Sequence, residues 1–150
     1  MKKMINLTKL LSVAFLFSIN LYAQDLFPKK NETSEKWGFV DKEGKVVISY
    51  IYDNASPFQD GFAVVMIGDK NGLVDKTGKE VIACQFQSIK PLGDDGFTVV
   101  IDNKVGYYDK SGKQIIPFEY DILGITKEGD IVGMYQGKWV KIDKEGKRVE

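Results

Sequence analysis

Apolar residues in this chain are gathered into short runs, and glycine, asparagine or aspartate separates one run from the next. β-Branched and aromatic residues between turn residues favour strands, and the 3.6-residue periodicity of an amphipathic helix is missing. Two of the runs, 62–67 and 97–101, are apolar at consecutive positions, whereas a strand with one solvated face alternates. We therefore predict antiparallel strands whose two faces are both covered.

The runs recur with a fixed period. A twelve-residue phrase begins at Trp37, Asn71, Val105 and Trp139, so that successive copies are 34 residues apart. Self-similarity at this spacing indicates a repeat array, and although helical tetratricopeptide arrays share the period, the residue types favour strands. The predicted units are 37–70, 71–104, 105–138 and a partial unit, 139–150.

Each phrase contains Asp-Lys-x-Gly-Lys, which is typical of a tight hairpin. Aspartate at the first position of a type I turn accepts backbone hydrogen bonds, and glycine at the fourth adopts the left-handed conformation. The predicted turn residues are Asp41, Gly44, Asp75, Gly78, Asp109, Gly112, Asp143 and Gly146. A second, two-residue turn precedes the later phrases at 68–69, 102–103 and 136–137. Each unit is thus predicted to be a three-stranded antiparallel meander.

These meanders predict an all-β chain arranged as an open stacked array, with a small closed barrel or a propeller as the alternative. The stretch before Trp37 is polar, so the first unit lacks a matching strand there, and the last unit ends after its third strand. Such ragged ends favour the open array.

The first residues predict export. A basic start and a short apolar run, 10–21, precede Ala23, which is typical of a signal peptide at 1–23. The run is shorter than the ~20 residues of a membrane span, so we expect no membrane insertion after cleavage. Residues 24–35 are predicted to be a flexible lead-in, and 36–150 the repeat domain. The expected location is periplasmic, envelope-associated or secreted.

Charge and residue types exclude several classes of function. Removing the three lysines of the signal leaves 18 Lys and Arg against 21 Asp and Glu, which disfavours nucleic-acid binding. The absence of histidine excludes Ser-His-Asp and Cys-His catalysis and nearly every zinc site. Cys84 shares a repeat position with Tyr50 and Phe118, so we predict a buried structural cysteine. No cofactor is expected.

The carboxylates suggest two further sites, neither of which is favoured. Calcium loops need alternating acidic ligands, whereas a lysine follows each turn aspartate. Asp94 and Asp95, with Asp60, are the candidates for a carboxylate hydrolase, but a solvated turn is the favoured interpretation. We expect no catalytic and no metal-binding residue.

Four aromatic residues are candidate ligand contacts: Trp37, Trp139, Tyr52 and Tyr120. The position shared by Tyr52 and Tyr120 stays aromatic in the second unit, which favours a core role for it. The tryptophan position also carries Asn71, so the two tryptophans are the better candidates. A site is expected where the copies differ, in the tryptophan position and in the loops 53–61, 87–96 and 121–129.

The stretch KWGFVDKEGK at 36–45, followed by Tyr52-Asp53 and FQDGFAVV at 58–65, resembles the WG-repeat family of bacterial proteins. The resemblance covers 36–150, although Asn71 and Val105 replace the tryptophan and Val140 replaces the glycine. It implies tandem β units, often export, and no catalytic site. The segment 107–113 is also similar to choline-binding wall repeats, whose shorter period fits this chain less well.

These observations together predict an exported, non-enzymatic binding module for an unknown protein or an envelope glycan. A structural spacer array without a ligand is the alternative, and a carboxylate hydrolase is a distant third. A binding module is expected to expose an apolar patch, and a spacer is not.

Overall fold

The computed structural model describes residues 25–149, which form fifteen β-strands and no helix. No segment of this range is therefore a helix able to cross a membrane. The predicted signal peptide, 1–23, lies outside the described residues. The strands are β1 (Phe27–Lys30), β2 (Trp37–Val40), β3 (Val46–Tyr52), β4 (Asn54–Ala55), β5 (Phe62–Ile67), β6 (Lys70–Asp75), β7 (Glu80–Phe86), β8 (Ser88–Leu92), β9 (Gly96–Ile101), β10 (Lys104–Asp109), β11 (Gln114–Tyr120), β12 (Ile122–Ile125), β13 (Ile131–Tyr135), β14 (Lys138–Ile142) and β15 (Arg148–Val149).

The strands form four antiparallel sheets in chain order. Sheet 1 contains β1 to β3, sheet 2 contains β4 to β7, sheet 3 contains β8 to β11, and sheet 4 contains β12 to β15. Within each sheet sequential strands are neighbours, and none of the four sheets closes into a barrel. The prediction of an all-β open array is confirmed.

Sheets 2, 3 and 4 have one strand more than the predicted meander. After the last strand of sheets 1, 2 and 3 the chain bends, at Asp53, Gln87 and Asp121, and begins the first strand of the next sheet. This strand is β4, β8 or β12, so the segments 53–61, 87–96 and 121–129, which we expected to be loops, each contain a strand. β4 has only two residues, too few for a pattern, and β8 and β12 contain a proline and a glycine, which are typical of turns.

The predicted flexible lead-in, 24–35, contains a strand. β1 pairs with β2 from Phe27 opposite Val40 to Lys30 opposite Trp37. The prediction is wrong for these residues because backbone pairing needs no apolar pattern, and Leu26, 6% exposed, anchors the segment in the core. Pro28 and two lysines are typical of an edge strand.

Three hydrophobic cores lie between successive sheets. Sheets 1 and 2 enclose the first, sheets 2 and 3 the second, and sheets 3 and 4 the third. Along β5, Ala63 and Val65 contribute to the first core, whereas Phe62 and Val64 pack against the second. Sheets 2 and 3 are therefore covered on both faces, which explains why 62–67 does not alternate between apolar and polar residues.

Candidate functional site

The aspartates and glycines of the repeated phrase build the turns. In the first unit, Oδ1 of Asp41 accepts hydrogen bonds from the backbone N–H groups of Glu43 (3.0 Å) and Lys45 (2.8 Å). The N–H of Gly44 donates to the carbonyl of Asp41, and Gly44 has φ +83°. The same bonds recur in the other three phrases, so these residues have a structural role.

The later turns also lie against the preceding sheet. A Cβ built on Gly112 would stand 2.1 Å from the carbonyl oxygen of Val81, and one on Gly146 equally close to that of Ile115. Around Gly44, in contrast, nothing lies within 4 Å of such a Cβ. The glycine therefore allows both the left-handed turn and the close stacking of units.

Of the four aromatic candidates, only one is largely exposed. Tyr52 and Tyr120 are buried in the first and third cores, at 5% and 0% exposure, so neither ring can face a ligand. Burial raises the pKa of both hydroxyls. Trp37 is half-buried against the first core, whereas Trp139 is 58% exposed on sheet 4.

Two apolar residues lie beside Trp139, one of them exposed. Ile122 and Met134 lie beside it in one cross-strand row, since Ile122 pairs with Met134 and Met134 with Trp139. Ile122 is 53% exposed. We call the side of sheet 4 that carries this row its outer face, because the third core packs on the opposite side.

A cleft of about 460 Å³ opens between sheets 2 and 3. One wall is the loop after β4, and the other comes from β8 and β9. The lining residues are Ser56, Pro57, Phe58, Gln59, Phe62, Val64, Leu73, Pro91 and Phe97. The two-residue β4 ends at Ala55, so the chain departs from the sheet there, whereas β8 continues to Leu92. Five of the nine lining residues thus lie in the segments 53–61 and 87–96, where the copies differ, and the other four lie on β5, β6 and β9.

The lysine before the tryptophan position forms an ion pair with an aspartate 17 residues later in two of the units. Nζ of Lys36 donates to Oδ1 of Asp53 at 2.5 Å, and the N–H of Gly68 donates to Oδ2 at 2.8 Å. The hydrogen bond from Lys36, and after it the one from Gly68, holds the pKa of Asp53 below its usual range. Lys104 and Asp121 form the same pair two sheets later, in sheet 3.

The remaining candidates are three aspartates and the cysteine. Asp60, Asp94 and Asp95 lie in exposed loops. Cys84, predicted to be buried, is half-buried and packs against the first core. Burial, and then the charge of Glu80, raises the pKa of its thiol, which disfavours the reactive thiolate.

Comparison with protein families decides the affiliation of the chain. A family model described as "WG containing repeat" matches residues 37–70, 72–104 and 106–132, which is more than half of the chain. The chain belongs to the WG-repeat family. Neither the curated proteins nor the solved structures give a match to it.

The glycine of the WG dipeptide has a geometric reason. Opposite Gly38, β3 bulges, since Trp37 pairs with Tyr52 but Phe39 with Ile48. A Cβ on Gly38 would lie 2.5 Å from the carbonyl oxygen of Ile48. Gly72 and Gly106 face the same bulge in β7 and β11. This glycine therefore leaves room for the backbone of the strand that follows, which is β3, β7 or β11. The sequence alone did not indicate this role.

Proposed function

We propose that this WG-repeat chain is an exported, non-enzymatic binding module that takes apolar side chains of a protein partner in the cleft between sheets 2 and 3. The cleft is the observation that carries the proposal. Its volume falls within the roughly 300–1,000 Å³ of typical ligand sites. Its lining includes three phenylalanines and two prolines, an apolar surface of the kind that marks interaction sites.

The lining favours a protein over an envelope glycan. It contains no charged side chain, and its two polar residues are Ser56 and Gln59. The hydroxyl of Ser56 is already engaged, since it donates to the carbonyl of Pro57 and accepts from the N–H of Val64. Sugar hydroxyls need polar partners when they are buried, whereas apolar side chains do not.

A spacer array without a ligand is the second candidate, and an apolar cleft argues against it because a spacer gains nothing from exposing such a surface. A carboxylate hydrolase is the third. Its candidate residues, Asp60, Asp94 and Asp95, are exposed to water, whereas a general acid needs an apolar setting.

The proposal is tested by capture of envelope proteins with the chain lacking residues 1–23. Pro91→Lys places a charge at the cleft, and Ile51→Lys is the matched control at an exposed apolar residue that does not line it. We expect a captured protein that is retained by the wild type and by Ile51→Lys but lost with Pro91→Lys. Equal capture by all three proteins, or binding to isolated glycan only, would contradict the proposal.

Export has its own test. The product exported by the native host is expected to begin after Ala23, and its mass identifies that end. A chain that keeps Met1 and remains in the cytosolic fraction would refute the proposed location.

A further inference from the structure

The outer face of sheet 4 occupies repeat positions that are covered elsewhere in the chain. Trp139 and Val149, 58% and 43% exposed, correspond to Val105 and Ile115 of sheet 3. Val105 and Ile115 pack in the third core, beneath sheet 4. The chain itself thus shows what fits a face of this type, namely the facing side of another WG sheet.

Sheet 1 carries a face of the type that covers another sheet, on which Phe27 and Val46 are exposed and Val40 is buried. Phe27 pairs with Val40, and Val40 pairs with Val46, so these three side chains share the side of sheet 1 that points away from the first core. The repeat equivalents of Val40 in sheets 2 and 4 are Val74 and Ile142, which are buried against the preceding sheet. Phe27 and Val46 are 51% and 44% exposed.

The turns give a second, independent match. Gly112 and Gly146 lie against the carbonyls of Val81 and Ile115, one sheet back. The next position in this series is Val149, which is exposed, and a Cβ on Gly44 would have nothing within 4 Å. Among the described residues, the turn of Gly44 in sheet 1 and the position of Val149 in sheet 4 are therefore the two members of this series that are not covered.

We propose that copies of this chain stack head to tail, with the outer face of sheet 4 of one copy against the exposed face of sheet 1 of the next. Such a contact joins two different surfaces and stays open at both ends, so it produces growing stacks rather than a closed dimer. The cleft takes no part in it, so the stacking does not rest on the proposed function.

One residue limits the strength of the contact. Lys141 stands where the first three units have the core residues Phe39, Leu73 and Tyr107. Its Nζ lies 2.7 Å from Oδ2 of Asp130, and covering this ion pair has a desolvation cost. The stacks are therefore expected to dissociate on dilution, and Lys141→Tyr, which restores the residue of the third unit, is expected to strengthen them.

Sedimentation velocity over a concentration series of the chain lacking residues 1–23 tests the proposal. We expect the wild type to sediment faster as its concentration rises, beyond the size of a dimer. Lys141→Tyr should lower the dissociation constant and Trp139→Lys should raise it, each roughly tenfold or more. Thermal melting verifies that the exposed substitutions leave the fold intact.

A mixing experiment fixes the arrangement. Trp139→Lys blocks one end and Phe27→Glu the other, so each variant alone should be monomeric and an equimolar mixture should stop at one-to-one dimers. A Phe27→Glu chain that dimerises alone would instead show sheet 4 pairing with itself. A wild type and a Lys141→Tyr variant that both remain monomeric at every concentration would overturn the proposal.

Discussion

Gly44 and Gly112 occupy the same position of the same turn, with φ +83° and +85°, but only Gly112 lies against another sheet. The pair therefore separates two reasons for a glycine. One is the left-handed backbone, which both share, and the other is the contact between units, which only Gly112 makes.

Substitution by alanine is expected to measure these two effects. Gly44→Ala should reduce the free energy of unfolding by about 1–2 kcal/mol, the cost of the left-handed conformation. Gly112→Ala should cost about 1–3 kcal/mol more, because the methyl group would overlap the carbonyl of Val81. Chemical denaturation of the two variants provides the comparison, and equal losses would show that the turn does not clamp the preceding sheet.

The bond between Lys36 and Asp53 predicts a pH dependence. The pKa of Asp53 is lower in the folded chain than its unfolded value of about 3.9, so the stabilisation is present above that pH and is lost as the pH falls through the folded pKa. Asp53→Gln, which introduces the residue that Gln87 supplies in the second unit, should lower Tm at pH 7 and have less effect below about pH 4.

Asp69→Asn is the control for this experiment. Its carboxylate lies 3.5 Å from Nζ of Lys70 but is 86% exposed, so little stabilisation is expected from the pair. A Tm difference between Asp53→Gln and the wild type that stays constant from pH 7 to pH 3 would contradict the assigned bond.

At the scale of the strands, the bulge opposite the WG glycine decides how the strand that carries this glycine fits against the strand that follows it. Gly106 faces the bulge in β11, where a Cβ would lie 2.8 Å from the carbonyl oxygen of Ile116 and 2.9 Å from the ring of Phe118. The fourth unit carries Val140 at this position.

Gly106→Val is therefore expected to destabilise the chain by about 1–3 kcal/mol or more, because β11 has to move away from β10. Val140→Gly is the matched reverse change and should have a smaller effect, since it removes apolar surface at a half-buried position without a clash. Thermal melting of both variants measures the difference. Equal melting temperatures for Gly106→Val and the wild type would mean that the bulge can be accommodated elsewhere.

The repeat and its turn chemistry made most of the strands predictable. Hairpins form at the turns that Gly44, Asp69 and Asn103 indicated, because these turns depend on local backbone conformation. β1, β4, β8 and β12 were not predicted, since β1 is mostly polar, β4 has two residues, and β8 and β12 contain Pro91 and Gly124. The cleft depends on where β4 stops relative to β8, which the sequence pattern did not indicate.

The candidate ligand contacts were harder to predict. Tyr52, Tyr120 and Trp139 are all aromatic residues at repeated positions, but exposure depends on which sheet covers which face. Sheet 4 leaves Trp139 exposed, whereas sheets 2 and 4 cover the two tyrosines. Composition and spacing contain no information on that order of stacking.

For the whole molecule, the three cores join only neighbouring sheets. Stability in such an array is approximately a sum of unit and nearest-neighbour contributions, so a defect in one core should loosen the sheets beside it before the distant ones. The chain is thus expected to depart from a single cooperative transition.

Ile116→Ala tests this expectation. Ile116 is fully buried in the third core, and its truncation should cost about 2–5 kcal/mol. Hydrogen exchange is expected to lose protection first in β13 and β14, while β2 and β3 keep theirs. Val65→Ala in the first core is the control and should affect β2 and β3 instead. A uniform loss of protection in both variants would show that the four sheets unfold as one unit.

The bends at Asp53, Gln87 and Asp121 are the points where the backbone passes from one sheet to the next, and no strand pair connects two sheets. A force applied between the chain ends would therefore peel sheets from the stack one after another. Each 34-residue unit would lengthen the chain by roughly 110 Å, given ~3.3–3.6 Å for each extended residue. Held in an optical trap, the molecule should extend in several steps of nearly equal length, one for each sheet that unfolds, and not in a single step.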